Sequence, residues 1–195
     1  TGMRAVVELW RDVDPKQVLN VLYKYSALQV TFGVNMVAIA GGKPVQMGLK
    51  QVLSYYIEHQ KNVVTRRTKY ELQQAEARAH ILEGLIVAVD NLNEVIQLIR
   101  GSKTPKEARE KLIARFGLTE VQAQAILDMR LQRLTNLEVL ALRKEYEEIE
   151  KKIAGLKAIL GSEKKLMNVI KKELREVREA YADSRRTEIV DSFEE

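Results

Sequence analysis

The sequence predicts a mainly α fold: a long antiparallel coiled-coil arm, a small all-α globular head, and a small α/β block at the N-terminus. Three observations carry that prediction. A heptad stripe runs through Val139, Leu142, Tyr146, Ile149, Ile153, Leu156, Leu160, Met167, Ile170, Leu174, Val177 and Tyr181, and Glu163 is its only position that is not apolar. A second stretch, from Leu49 to about Arg100, has no Pro and a single Gly, Gly84. Between the two lie three Thr-x-x-Glu/Gln capping boxes, the signature of short helices that turn the chain around. A straight helix drifts roughly 20° per heptad from a strict heptad seam, so the stripe asks for a supercoiled partner. At about 1.5 Å per residue its helix would span about 60 Å, too long for a compact core.

The elements follow in chain order. Ala5 to Trp10 is rich in β-formers and reads as a strand. Asp14-Pro15-Lys16-Gln17 starts a helix that runs to about Tyr25: Asp14 caps it, Pro15 sits where its missing N–H costs nothing, and Gln17 can reach back. Gly33 to Ala40 reads as a strand, Gly41-Gly42 as a tight hairpin, and Lys43 to Met47 as the return. Pro44 cannot donate to a ladder, which places the return strand at an edge. This block, residues 1–48, buries little and reads as part of a larger α/β unit. The Thr-Gly-Met start, directly before a strand-like run, reads as the beginning of a segment of something longer.

Residues 49–80 read as an outgoing helix with Leu49, Val52, Leu53, Tyr56, Val63, Tyr70 and Ala77 on one face, interrupted by Gln60, Arg67 and Gln74. After His80 the pattern doubles. Ile81, Leu85, Ala88, Leu92, Val95 and Ile99 form one stripe; Leu82, Ile86, Val89 and Ile96 form another. A helix apolar on two faces is buried on two sides, so residues 81–136 form the head, with Gly101-Ser102 ending its first helix. Thr104-Pro105-Lys106-Glu107 opens a helix that ends near Phe116-Gly117. Thr119-Glu120-Val121-Gln122 opens another, running to Leu134 with Leu118 as a staple. Thr135-Asn136-Leu137-Glu138 opens the returning helix, residues 137–182, stapled by Leu134 and Val139. Gly161-Ser162 beside Glu163 marks a kink or local break. The tail, residues 183–195, holds a short strand at Thr187 to Val190.

Composition bounds the function. The chain has 195 residues, 46% hydrophobic and 30% charged, with 3 Pro and no Cys. That mix suits a soluble helical protein with a real core. The lack of Cys excludes a disulfide, a thiol nucleophile and a thiolate metal site. No apolar run approaches the roughly 18 residues of a membrane span. A net charge of +5 permits nucleic-acid contact without demanding it.

Candidate chemistry is sparse. Asp12 and Asp14 offer two carboxylates for Mg²⁺, or else Asp14 caps a helix and Asp12 is solvated. His59 and His80 are too far apart along one helix for ligand spacing and read as surface or packing residues. Gly41-Gly42-Lys43 lacks the spacing of a phosphate loop. No nucleophile constellation is evident. Arg66 and Arg67 are candidates for DNA phosphate contact. The competing reading for them, and for Lys164, Lys165, Lys171 and Lys172, is a solvated helix face paired with nearby Glu.

Longer runs carry a resemblance. Tyr-Lys-Tyr-Ser-Ala-Leu-Gln-Val-Thr-Phe-Gly-Val-Asn-Met-Val-Ala (23–38), Val-Val-Thr-Arg-Arg-Thr (63–68), Ala-Glu-Ala-Arg-Ala-His-Ile-Leu-Glu-Gly-Leu (75–85), Gln-Ala-Gln-Ala-Ile-Leu-Asp-Met-Arg-Leu-Gln-Arg-Leu-Thr (122–135) and Ser-Arg-Arg-Thr-Glu-Ile (184–189) are the runs concerned. Together they resemble the A subunit of the bacterial type IIA topoisomerases. DNA gyrase is favoured by Phe-Gly-Val-Asn-Met (32–36), with topoisomerase IV as the close alternative. The resemblance implies the end of a tower domain at residues 1–48, coiled-coil arms, and an exit gate at residues 81–136. It implies a part in ATP-dependent breakage, passage and rejoining of double-stranded DNA, with negative supercoiling in gyrase. Implied partners are a second copy through the gate, the gyrase B subunit in an A2B2 holoenzyme, and duplex DNA, in the cytoplasm and with no membrane. Mg and ATP would belong to that B subunit, so no cofactor is expected in this segment.

The family's nucleophile is a Tyr that follows an Arg, and no Arg-Tyr pair occurs here. The segment alone is therefore expected to be inactive. A head-to-head dimer would draw its contacts from the helix beginning at Thr119, with Ile126, Met129 and Arg130 as candidates; Ile126 reads equally well as intramolecular core. A DNA-binding module and a free-standing helical scaffold are the other function classes open to the sequence.

Overall fold

Helix signals dominate the sequence, and the computed structural model is mainly helical. It describes residue 2, residues 4–130 and residues 136–190. The chain divides into two units, Thr1–Tyr55 and Tyr56–Glu195.

In the first unit α1 spans Pro15–Tyr25. Asp14 caps it, its carboxylate accepting from the Lys16 N–H at 3.1 Å, and Pro15 takes the first turn as expected. The carboxylate bonds near the start of the helix, and no return bond from Gln17 accompanies it among the described residues. Strands β1 (Met36–Ala40) and β2 (Lys43–Met47) form an antiparallel hairpin, with Ala40 paired to Lys43 and Met36 to Met47. The two-residue loop has Gly41 at φ 60° and Gly42 at φ 79°. Both conformations are ones that glycine adopts without steric cost. Two expected strands are absent. Residues 4–10 and 187–190 have no regular structure, and β1 begins at Met36 rather than Gly33. A strand exists only with a partner for its N–H and C=O groups, and among the described residues β1 and β2 pair only with each other.

One helix, α2, spans Leu49–Asp90, 42 residues. At about 1.5 Å per residue it is about 63 Å long, which fits a coiled-coil arm. It does not run to Arg100. The chain breaks at Asn91, whose side-chain amide donates to the Val87 carbonyl at 2.9 Å, and α3 (Leu92–Arg100) starts there. An Asn that bonds back to its own helix competes with the helical ladder.

Helix α4 (Pro105–Phe116) begins at Thr104, whose hydroxyl accepts from the Glu107 N–H at 3.2 Å, and ends on left-handed Gly117 at φ 65°. Helix α5 (Glu120–Leu127) opens with a reciprocal capping box between Thr119 and Gln122. It stops at Leu127, with Asp128 as its C-cap, and does not reach Leu134. Residues 131–135, where the third capping box and its Leu134 staple begin, lie outside the described residues. Helix α6 spans Asn136–Leu160 and α7 spans Glu163–Tyr181. The heptad stripe is thus carried by two helices. Ser162 is extended (φ −143°, ψ 114°) and caps α7 by accepting from the Lys165 N–H. The break falls at Gly161-Ser162, where the sequence places it.

Candidate functional site

The head is built where α2 meets the short helices. Leu82, Leu85, Ala88, Val95, Leu112, Leu118, Ala123, Ile126 and Leu142 form one buried cluster drawn from α2, α3, α4, α5 and α6. Both predicted stripes of the 81–99 region contribute to it, the second through Leu82 and Ile86, whereas Ile96 of that stripe is exposed.

A polar contact locks α5 to α2. Gln122 is only 5% exposed. Its amide nitrogen donates to the His80 carbonyl at 2.7 Å and lies 3.3 Å from His80 Nδ1, and its amide oxygen accepts from the Thr119 N–H at 3.0 Å. His80 Nε2 lies 2.7 Å from the Thr119 hydroxyl. One assignment satisfies every group: neutral imidazole with the proton on Nε2, donating to Thr119, and with Nδ1 accepting from Gln122. Gly84 admits this arrangement. A Cβ there would stand 2.7 Å from the Gln122 Cβ and 2.8 Å from its Cγ, closer than atoms can pack. The sequence did contain a signal, because Gly84 is the single glycine of a long helical stretch and an isolated helical Gly marks close packing. The partner, Gln122, read only as a capping-box residue.

The arm is an antiparallel pair. Asp90 binds Arg143, Arg78 forms a two-pronged bond to Glu145 at 2.8 and 3.1 Å, and Glu76 binds Lys157 at 2.8 Å. As the α2 number falls, the α6 number rises. Ala75, Ala79 and Ile153 form a second buried cluster, with Leu72, Tyr146 and Ile149 packed against it. This corrects the predicted inner face of α2. Tyr70 and Ala77 are exposed, as are Leu53 and Tyr56; Val64, Thr68, Ala75 and Ala79 are buried instead. Small residues lie opposite Tyr146 and Ile153, so the larger side chains of α2 were misleading markers of its seam. Buried Thr68 satisfies its hydroxyl by donating to the Val64 carbonyl at 2.8 Å.

Helix α7 does not continue the antiparallel track. Glu163 pairs with Lys61 at 2.6 Å and Glu173 pairs with Arg67, so numbers rise together on both helices. Those pairs bracket buried Val64, and Ile170 is the one buried residue of α7. The hydrogen bond and charge of Lys61 hold the Glu163 carboxyl below the usual range, and Glu163 likewise raises the Lys61 ammonium. Beyond Ile170 the stripe positions Leu174, Val177 and Tyr181 are exposed.

The remaining candidates can now be placed. Ile126 is 3% exposed within the head's own core. Met129 is half-buried against that core, Arg130 is exposed, and both line a concavity of about 660 Å³ with Arg78, Ile81 and Asp128. Arg67 is engaged by Glu173, whereas Arg66 is exposed with no ion pair among the described residues. Asp14 is a cap, and no group of three or more His, Asp or Glu side chains is placed to hold a metal among the described residues. Burial, then the nearby Glu150 and Glu83 charges, push the Tyr146 phenol up, the wrong direction for a nucleophile. No helix among the described residues is long and apolar enough to cross a membrane.

Comparison with known proteins gives the family of this chain. The family model for the A subunit of DNA gyrase/topoisomerase IV matches residues 1–175. The DNA gyrase A subunit of Deinococcus deserti is 52% identical over 193 residues, 99% of this chain and 24% of that protein. The Clostridium acetobutylicum counterpart is 51% identical over 188 residues, 96% of this chain and 23% of that protein. The Staphylococcus aureus counterpart is 50% identical over 189 residues, 97% of this chain and 21% of that protein. The chain spans about a quarter of the length of these relatives. With a family match across most of its residues and half of its positions identical to named relatives, the chain belongs to the A-subunit family of DNA gyrase and topoisomerase IV.

Proposed function

We propose that this chain is the arm and exit-gate segment of a DNA gyrase A subunit. The head at residues 81–136 meets a second copy across a twofold axis, and α2 with α6 forms the arm behind it. Such an isologous contact holds two subunits together while duplex DNA is cut elsewhere in the enzyme, and parts to release the transported duplex. The observation that supports this reading best is the turn of an antiparallel helix pair into a head with its own buried core. Ile126 is committed inward, while Met129, Arg130 and the 59%-exposed Val121 remain available outside. The gate contacts are accordingly assigned to Met129 and Arg130, with Ile126 shaping the surface from beneath.

In this reading strand cleavage, Mg²⁺ and ATP use belong to other parts of the enzyme, an A2B2 assembly with the gyrase B subunit in the bacterial cytoplasm. This segment alone is inactive, and the assembly supercoils DNA. Light scattering of the chain at about 100 μM tests the gate, a concentration at which interfaces of even modest affinity are filled. The expected result is a mass twice the 22.3 kDa of one chain; a monomer overturns the reading. Duplex contact through the arm is the second reading, favoured by exposed Arg66. It predicts binding that falls steeply with salt, and the Arg66→Ala variant should lower that slope by about one.

A further inference from the structure

We infer that Gln122 is the positioning residue that makes α5 move as one body with α2, and so sets where Met129 and Arg130 stand. Three independent features of the structure meet at this side chain. It is buried and polar, a status shared among the described residues only with Thr68. Its amide is bonded to the α2 backbone at His80 and to the backbone that opens α5 at Thr119. Gly84 leaves the space it fills, with no room for one more carbon.

Helix α5 is short, Glu120–Leu127. A helix of about two turns has almost no stability of its own and depends on what it is fastened to. Its apolar anchors, Ala123 and Ile126, face the shared core and resist separation without fixing a register, since apolar contact is not directional. Hydrogen bonds are directional, and a buried amide that loses its partners is strongly disfavoured. The Gln122 bonds to the His80 carbonyl and ring therefore choose one seating of α5 on α2. Asp128 ends α5, and Met129 and Arg130 follow within two residues. Their positions are inherited from that seating. The inference deepens the gate reading, on which its consequence for the second copy rests.

The test uses the full-length protein that carries this segment and reads amide hydrogen exchange together with the rate of subunit exchange between labelled dimers. Gln122→Ala should raise exchange at residues 120–130 by about tenfold or more, the size expected for losing one or two directional bonds. Amides of α4 and of α2 near Thr68 should be unchanged. His80→Ala removes the ring contacts but keeps the backbone carbonyl, so it should act on the same residues by a smaller factor; it also keeps the test open if the first variant fails to fold. Unchanged exchange at 120–130 in both variants, or a rise spread evenly over the head, overturns the inference. Local exchange that rises together with faster subunit exchange supports both the positioning role and the gate. Local exchange that rises while subunit exchange stays constant keeps the positioning role and counts against the gate.

Discussion

Removing the Ile170 side chain should release α7 while leaving the rest of its unit folded. Ile170 is 2% exposed and is the only buried residue in the nineteen of α7. The stripe positions that follow it are exposed, and Leu166, Met167 and Val169 before it are only half-buried, so Ile170 is the most deeply docked apolar side chain of that helix. Fully burying an Ile is worth about 1.5–3 kcal/mol, and truncating it to Ala costs about 2–5 kcal/mol once the cavity is included. The flanking Lys61–Glu163 and Arg67–Glu173 pairs lie at the surface, where ion pairs contribute little. A free helix of this length is marginal in water. Ile170→Ala should therefore undock and fray α7, read as loss of amide protection at residues 163–181 with α6 and the upper part of α2 unchanged. The reasoning fails if α7 amides in the variant stay as protected as those of α6. It fails equally if protection falls in step across α2, α6 and α7, because docking would then be inseparable from the fold of the whole unit.

Other consequences are equally checkable. Leu112→Ala empties a fully buried site in the head core and should cost about 3–5 kcal/mol in urea unfolding; a loss below about 1 kcal/mol would mean the head repacks around the cavity. Gly117→Ala forces a left-handed conformation at φ 65° on a residue with a Cβ, and should lower stability by about 1 kcal/mol by shortening α4 at its end. The Glu163 carboxyl is held low by Lys61, so its contribution is present above the ordinary Glu range and is lost as pH falls through its folded value. Protection of the first turn of α7 should thus weaken only as pH drops below the ordinary Glu range, and the Glu163→Gln variant should remove that dependence.

Caps and turns were legible in the sequence because they are local chemistry. Asp14, Thr104, Thr119, Gly41-Gly42 and Gly117 each act within four residues of themselves, and each appears where the pattern places it. The break at Gly161-Ser162 was legible for the same reason. What failed required a partner. The Ala5–Trp10 run has strand-forming residues and, among the described residues, no strand to pair with. The larger side chains of α2 mark a seam by pattern alone, but a seam is set by what lies opposite. Tyr146 and Ile153 select the small Ala75 and Ala79, and a buried Thr68 looks polar until its bond to the Val64 carbonyl is seen. Arg66 and Arg67 were adjacent and equivalent in the sequence; Glu173, more than a hundred positions away, separates them. Of the gate candidates, the sequence left Ile126 open between core and contact. Only the packing of five helices decides its direction.

The hairpin carries a directional consequence through Pro44. Its register pairs Ala40 with Lys43 as the closing hydrogen-bonded pair, so Ile39 and Pro44 form the next, non-bonded pair. At that position a backbone nitrogen faces away from the partner strand, toward the outer margin of β2. Pro44 has no hydrogen to offer there, so the hairpin is chemically two-sided: β1 presents an unbroken rim of donors and acceptors, and β2 presents a rim with a missing donor. A further strand would meet full pairing on one side and a vacancy on the other, which makes growth of this sheet polar, with β1 as the side from which it can extend.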